Sequence, residues 1–409
     1  MSVLEKYLLN LSNQKEIREV QKKMRLMRAV YLKDSITVND LMKDLNMSFP
    51  TLNTIILESI EKNLLIQNER GESIGGRKPN LYQLNDGIFK VLCVEANRFS
   101  IKISFVDNNN NKIVDTKFIQ NELTRDLDGL NHFLELIYTF VDENKLTWED
   151  ISGVGISMPG LIDADKGKNY SFFFETGFDL RSYLEEKLKK AVYIINDVKL
   201  TTYTEQNFGK LKNIEHGLAI LMDWGMALGI VTNGEIYMGK NGFSGELGHI
   251  NFVEDGELCY CGKRGCLETI ASGVALVKRA TKDIENNVPT LLLKQYNSKD
   301  IRPIDIIEAA LEGDQYAIQL ITDLGKNLGK AIAIFVQIFN PERVVLSGNF
   351  AKSTTLITNP IQQQIQTFAM GRILNNCEVV LSDLNEEHIT FGLARYFIVN
   401  YFENNLAIS

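Results

Sequence analysis

Gly245-Glu246-Leu247-Gly248-His249 and, ten residues on, Cys259-Tyr260-Cys261-Gly262-Lys263-Arg264-Gly265-Cys266-Leu267-Glu268 place three thiols and one imidazole within 18 residues. That donor set completes a tetrahedral Cys₃His shell of the kind that holds zinc and leaves no coordination position open. Gly248 precedes the histidine and Gly262 and Gly265 lie between the cysteines, so the backbone can bend until side chains close in sequence converge on one ion. A disulfide loop fits poorly, because three cysteines cannot pair among themselves and the N-terminus does not resemble a signal peptide. Glu246 and Glu268 flank the cluster. With the softer shell already full, these hard oxygen donors are expected to face a polar ligand such as a polyhydroxylated sugar. Cys93 and Cys377 sit in apolar, strand-like runs and read as core thiols.

Composition bounds the rest. A chain of 409 residues, 44% hydrophobic and 23% charged, is an ordinary globular protein too long for one core. No apolar stretch reaches membrane-spanning length, so neither a membrane partner nor a location outside the cytoplasm is expected. The net charge of −8 is unevenly spread. Residues 1–80 carry 13 Lys and Arg against 10 Asp and Glu, leaving 31 basic and 42 acidic residues in the remainder. A locally positive N-terminus on an acidic body directs attention to nucleic acid.

The N-terminal pattern agrees with that direction. Ile17, Val20, Met24, Met27 and Val30 recur at helical spacing between Lys15 and Tyr31. A second helix is expected over Val38–Leu45, capped by Thr37, and a third from the cap Ser48 through Pro50 to Leu65. Two helices so joined make a helix-turn-helix whose later helix faces the major groove. Ser48, Phe49, Thr51, Asn53 and Thr54 would meet DNA there, without an arginine to read guanine. Residues 66–84 then read as strand, glycine turn and strand: a wing tipped by Gly75-Gly76-Arg77-Lys78-Pro79. Arg77 and Lys78 suit a narrow minor groove or phosphates. A winged helix used only for protein contacts is the competing reading.

In the body, residues 90–106 and 217–237 repeat one plan of strand, tight turn and strand, each followed by further strand and helix signals. Duplication of an α/β unit accounts for this economically. Val192–Asn196 is a buried strand ending on two polar residues, Asn196 and Asp197. They read either as ligand contacts at a strand end or as the start of a helix over 199–207. An apolar helix is expected over Lys326–Phe339 and a strand after Pro341.

Together these segments resemble the ROK family (repressor, open reading frame, sugar kinase), specifically its transcriptional regulators with an N-terminal winged helix-turn-helix. The zinc stretch and the Gly-Gly-Arg-Lys-Pro wing carry most of the resemblance. It implies an α/β fold, actin-like and hexokinase-like, with two duplicated ribonuclease-H-like domains around a cleft and a last helix returning to the first domain. The corresponding boundaries are 1–84 for the DNA-binding domain, 85–199 plus 389–409 for the first α/β domain, and 200–388 for the second. Sugar contacts fall on Asn196, Asp197, Glu246, His249 and Glu268, and zinc ligands on His249, Cys259, Cys261 and Cys266.

In kinases of the family, an aspartate at the position of Asp197 is the general base and glycine-rich loops hold the nucleotide phosphates. This chain has Glu95-Ala96-Asn97-Arg98-Phe99 and Asp223-Trp224-Gly225-Met226-Ala227 where those loops fall, and phosphate cradling needs the glycines and short hydroxyls they lack. The expectation is a regulator without enzymatic activity, with Asp197 a vestigial base. Its effector would be a sugar or sugar phosphate, and it would act as a homodimer or tetramer on a near-palindromic operator. Alternatives are a residual ATP-dependent sugar kinase and a zinc-stabilised protein-interaction module.

Overall fold

The computed structural model describes residues 14–33, 35–68, 80–173, 179–295 and 301–406. The chain forms two compact units: residues 1–196 with 390–409, and residues 197–389.

The first unit begins with helix α1 (Gln14–Leu32), strand β1 (Ile36–Thr37), helix α2 (Val38–Leu45), helix α3 (Phe49–Glu61) and strands β2 (Leu65–Asn68) and β3 (Leu81–Leu84). The backbone amide of Asp40 donates to the Thr37 hydroxyl, which caps α2 as its sequence position implies. Helix α3 buries Leu52, Ile55, Ile56 and Ser59 but stops at Glu61, short of the expected Leu65. Asn63 turns left-handed at φ 56°, and Leu64 and Leu65 are buried while Leu65 pairs with Leu84 across β2 and β3. Sheet pairing there outcompetes one more helical turn. The three strands run in the order β1-β3-β2. Residues 69–79, with Arg77 and Lys78, lie outside the described residues.

The same unit continues with β4 (Lys90–Ala96), β5 (Ser100–Asp107), β6 (Lys117–Gln120), α4 (Leu127–Glu143), β7 (Gly153–Met158), a short hairpin β8 (Ile162–Asp163) and β9 (Lys168–Asn169), α5 (Leu180–Leu188) and β10 (Val192–Asn196). Its sheet has the order β10-β7-β4-β5-β6. Strands β4 and β5 pair antiparallel, whereas β4, β7 and β10 are parallel. Strand β7 is buried along its whole length, as parallel strands covered on both faces must be.

The second unit holds α6 (Asp197–Phe208), β11 (Gly217–Met222), β12 (Met226–Thr232), β13 (Glu235–Ile236), α7 (Gly273–Glu285), α8 (Pro303–Leu311), α9 (Gln315–Phe339), β14 (Arg343–Ser347), α10 (Thr355–Phe368) and β15 (Glu378–Leu381). Its sheet order, β13-β12-β11-β14-β15, repeats the first. In each sheet the first three strands meander antiparallel and the last two return parallel to the first. Helix α9 is longer than the expected Lys326–Phe339. The backbone amide of Ala317 donates to Asp314, which caps the start, and Leu320, Ile321, Leu324 and Leu328 keep one continuous buried stripe.

Helix α11 (Glu386–Leu406) closes the chain, and its residues from Thr390 onward belong to the first unit. It packs on β7 where a Cβ at Gly153 would lie 2.2 Å from the Phe397 ring, so glycine permits the close approach. The other side of α11 meets α1: Arg28 pairs with Glu403 at 2.7 Å, and Arg395 donates to the Leu32 carbonyl at 2.9 Å while its guanidinium lies over the Tyr31 ring.

Candidate functional site

The donor atoms of His249, Cys259, Cys261 and Cys266 all lie within 4.8 Å of one another. Cys259 Sγ is 3.6 Å from His249 Nδ1, and Cys261 Sγ is 3.6 Å from Cys266 Sγ. In a tetrahedral zinc shell, bonds of about 2.3 Å to sulfur put donors about 3.8 Å apart along each edge. The residues therefore fit zinc in type, number and spacing.

Local backbone bonds build this arrangement. His249 ends a short 3₁₀ turn, Leu247–His249. The Cys259 amide donates to the Lys263 carbonyl, and the Gly262 amide donates back to the Cys259 carbonyl, closing a tight loop that aims Cys259 and Cys261 one way. A bridge between Asn251 and Cys266 brings the last thiol alongside the His249 segment. Gly265 has φ 72°, and a Cβ there would lie 1.8 Å from the Val253 carbonyl oxygen, so the loop requires glycine. Burial pushes the Cys259 and Cys266 thiols up, Cys266 to about 12, which a bound dication would reverse.

The two carboxylates of the stretch do not behave alike. Glu268 is buried at the start of a one-turn helix, with Oε2 3.7 Å from His249 Nδ1. Glu246 remains exposed. Gly225 abuts Glu268, since a Cβ at Gly225 would fall 2.7 Å from Glu268 Oε1.

Asn196 ends β10 and donates through Nδ2 to the Gly160 carbonyl at 3.0 Å. Asp197 opens α6, and its Oδ1 accepts from the next amide, Val198, at 2.8 Å. Burial first, and then the charges of Asp223 and Glu246, lift its carboxyl to about 7. Asp197, Asp223 and Glu246 thus sense one another across the second unit. The Asp223 carboxylate accepts from the Trp224 amide and from Asn349 Nδ2, both at 2.9 Å.

Two residues escaped sequence reasoning. Lys199 is 1% exposed, and its Nζ donates to the Ser244 carbonyl and hydroxyl at 2.8 and 2.6 Å. Burial brings its pKa down to about 8, opposed by Glu246. One turn of α6 is thereby tied to the loop that carries Glu246. No spacing rule points to a lysine on a helix face as a buried strut. The second is Tyr260, which sits between two cysteines and whose hydroxyl lies 3.0 Å from His249 Nε2.

In the head, α3 presents Phe49, Thr51 and Thr54 to solvent, with Phe49 53% exposed; Asn53 is half-buried. Ser48 makes no capping bond of its own, and its hydroxyl instead pairs with that of Thr51 at 3.1 Å. Thr54 donates back to the Pro50 carbonyl.

Two sheets of one topology in tandem, with conserved strand order and parallel return strands, define an actin-like, hexokinase-like α/β protein, here fitted with a Cys₃His cluster and a helical head. The family profile described as "ROK family" matches residues 91–398, and the chain belongs to that family. It is 30% identical over 357 residues to the DNA-binding transcriptional dual regulator NagC of Escherichia coli strain K12, covering 85% of each chain. A crystal structure of a ROK family transcriptional regulator, homolog of the E. coli MLC protein, superposes with a TM-score of 0.78 at 25% identity, over 94% of this chain and 98% of that one. The ROK family glucokinase from Streptomyces griseus, solved with glucose and AMPPNP, shares the fold at a TM-score of 0.64 and 24% identity, over 75% of this chain and 98% of its own.

Proposed function

We propose that the protein is a sugar-responsive transcriptional repressor of carbohydrate-metabolism genes, a ROK regulator in which a winged helix-turn-helix spanning residues 1–84 binds an operator. One observation carries this reading: the likeness to a solved transcriptional regulator runs over 94% of the chain, whereas the likeness to a kinase leaves a quarter of it unmatched. The head is the part a kinase does not need. Ser48 just before α3 and Phe49, Thr51, Asn53 and Thr54 on it, with Arg77 and Lys78 of the wing, are the DNA contacts in this reading. The two α/β domains in this reading are residues 85–199 with 389–409, and residues 200–388.

The effector is a sugar or sugar phosphate bound by Asn196, Asp197, Glu246, His249 and Glu268. A closed zinc shell supplies no reaction chemistry; when bound, the ion crosslinks the loop that bears His249 and Glu268. Loss of ATP use is supported at Asp223 and Trp224. The Trp224 amide, which a phosphate would need, is spent on a carboxylate that repels it. A homodimer matches a near-palindromic operator by symmetry.

Measuring operator affinity by fluorescence anisotropy across hexoses, pentoses, amino sugars and their phosphates tests the reading. At least one should change affinity fivefold or more, within the usual range of allosteric coupling. No effect from any sugar would count against it. A coupled ADP-release assay on the same sugars should stay at background.

A further inference from the structure

We propose that Tyr260 is an internal stand-in for a sugar hydroxyl on His249, and that effector binding displaces it into solvent. The inference rests on the sugar reading above. His249 turns Nδ1 toward Cys259, at 3.6 Å, and Nε2 toward the Tyr260 hydroxyl, at 3.0 Å. An imidazole that gives Nδ1 to a metal carries its proton on Nε2, so that nitrogen donates to whatever oxygen lies before it. In the structure that oxygen is the phenol of Tyr260. A ligand hydroxyl recognised by His249 has to occupy the same place.

The geometry suits a displaceable group. Tyr260 is 75% exposed as a residue, so its ring can leave at little cost in buried apolar area. Its hydroxyl nevertheless turns back onto the protein, within 3.0 Å of His249 Nε2. The ring stands edge-on to the imidazole, with centroids 5.1 Å apart and planes at 81°. Lys263 donates to the His249 carbonyl at 2.9 Å, so the histidine backbone stays fixed when Tyr260 leaves.

Displacement makes a quantitative prediction. When a site is blocked by its own side chain, apparent affinity falls by the fraction of molecules in which the block is open. The Tyr260→Phe protein, which keeps the ring but lacks the oxygen, should bind the effector about fivefold more tightly, the population equivalent of one net hydrogen bond. Titration calorimetry on the full-length, zinc-loaded protein, using the sugar panel above, measures this. Zinc content and melting temperature of each variant establish that the cluster is intact, and Tyr260→Ala gives a second measure should the phenylalanine ring refill the space. With ¹⁵N-labelled histidine, the His249 Nε2 resonance should shift in the Tyr260→Phe protein as it loses its oxygen partner. Wild-type protein that binds a sugar no more weakly than either variant overturns the proposal, as does a loss of binding in both, which would make Tyr260 a ligand contact. Binding of no sugar by any form sinks the sugar reading itself, a pattern distinct from the other two.

Discussion

At the residue scale, the acids around α6 set the pH behaviour. Asp197 carries a folded-state pKa of about 7 against 3.8 in the unfolded chain. A carboxyl raised on folding holds its proton in the native state while the unfolded state releases it. Its contribution to stability is therefore full below about pH 4 and is lost as pH rises through about 7. Urea unfolding between pH 4 and 8 should show stability falling with pH, and Asp197→Asn should remove up to one proton's worth of that slope. An unchanged slope in the variant would place the titration elsewhere. In the sugar-binding role proposed for Asp197 the ionised form is the better acceptor for a ligand hydroxyl, so sugar affinity is expected to climb over the same interval. Lys199 could not be foreseen here, because its role depends on Ser244, 45 positions away, reaching its ammonium.

At the element scale, the loop between His249 and Glu268 is a device of glycines. Two of them, Gly262 and Gly265, have positive φ, yet they differ in surroundings. A Cβ at Gly262 meets nothing within 4 Å, whereas one at Gly265 would meet the Val253 carbonyl oxygen at 1.8 Å. Both alanine substitutions incur left-handed strain of roughly 1–2 kcal/mol. Only Gly265→Ala must also move backbone. Competition with a colorimetric zinc chelator should therefore show much faster metal loss from Gly265→Ala than from Gly262→Ala, and equal rates would refute the loop's dependence on that close approach. Helices followed their capping and stripe signals well: α2 runs from Val38 to Leu45 as Thr37 implies. The end of α3 did not, since Leu64 and Leu65 have side chains equally suited to helix or strand, and the pairing with Leu84 decided between them.

At the scale of the whole molecule, operator and sugar binding in the proposed regulator are coupled only if each ligand binds one conformational state better than another. Linkage is reciprocal: an effector that weakens operator binding by some factor must itself bind the operator complex more weakly by that factor. Calorimetric titration of sugar into free protein and into the operator complex checks the equality, and a mismatch would show that the two effects do not share one equilibrium. Within the first unit, the head rests on α11 through Arg28–Glu403 and Arg395–Leu32, residues more than 360 positions apart. Those contacts supply a physical link between the head and the first sheet, against which the same helix packs at Gly153.

Much of this was readable from residue order alone. Donor types at short spacing announce the Cys₃His cluster, because side chains close in sequence need only a bent loop to converge. Apolar periodicity and caps announce the helices, and the repeated strand-turn-strand plan announces a duplication that the two matching sheets bear out. Folding had to decide the rest: where α3 yields to β2, which nitrogen of His249 faces the thiols, the burial that lifts Asp197, and the placement of Lys199 and Tyr260. Each of these depends on atoms brought together from separate parts of the chain or on side-chain direction, and neither is encoded in local spacing. Hydrogen bonds and desolvation act at a few ångströms, so their partners are chosen only when the backbone has closed.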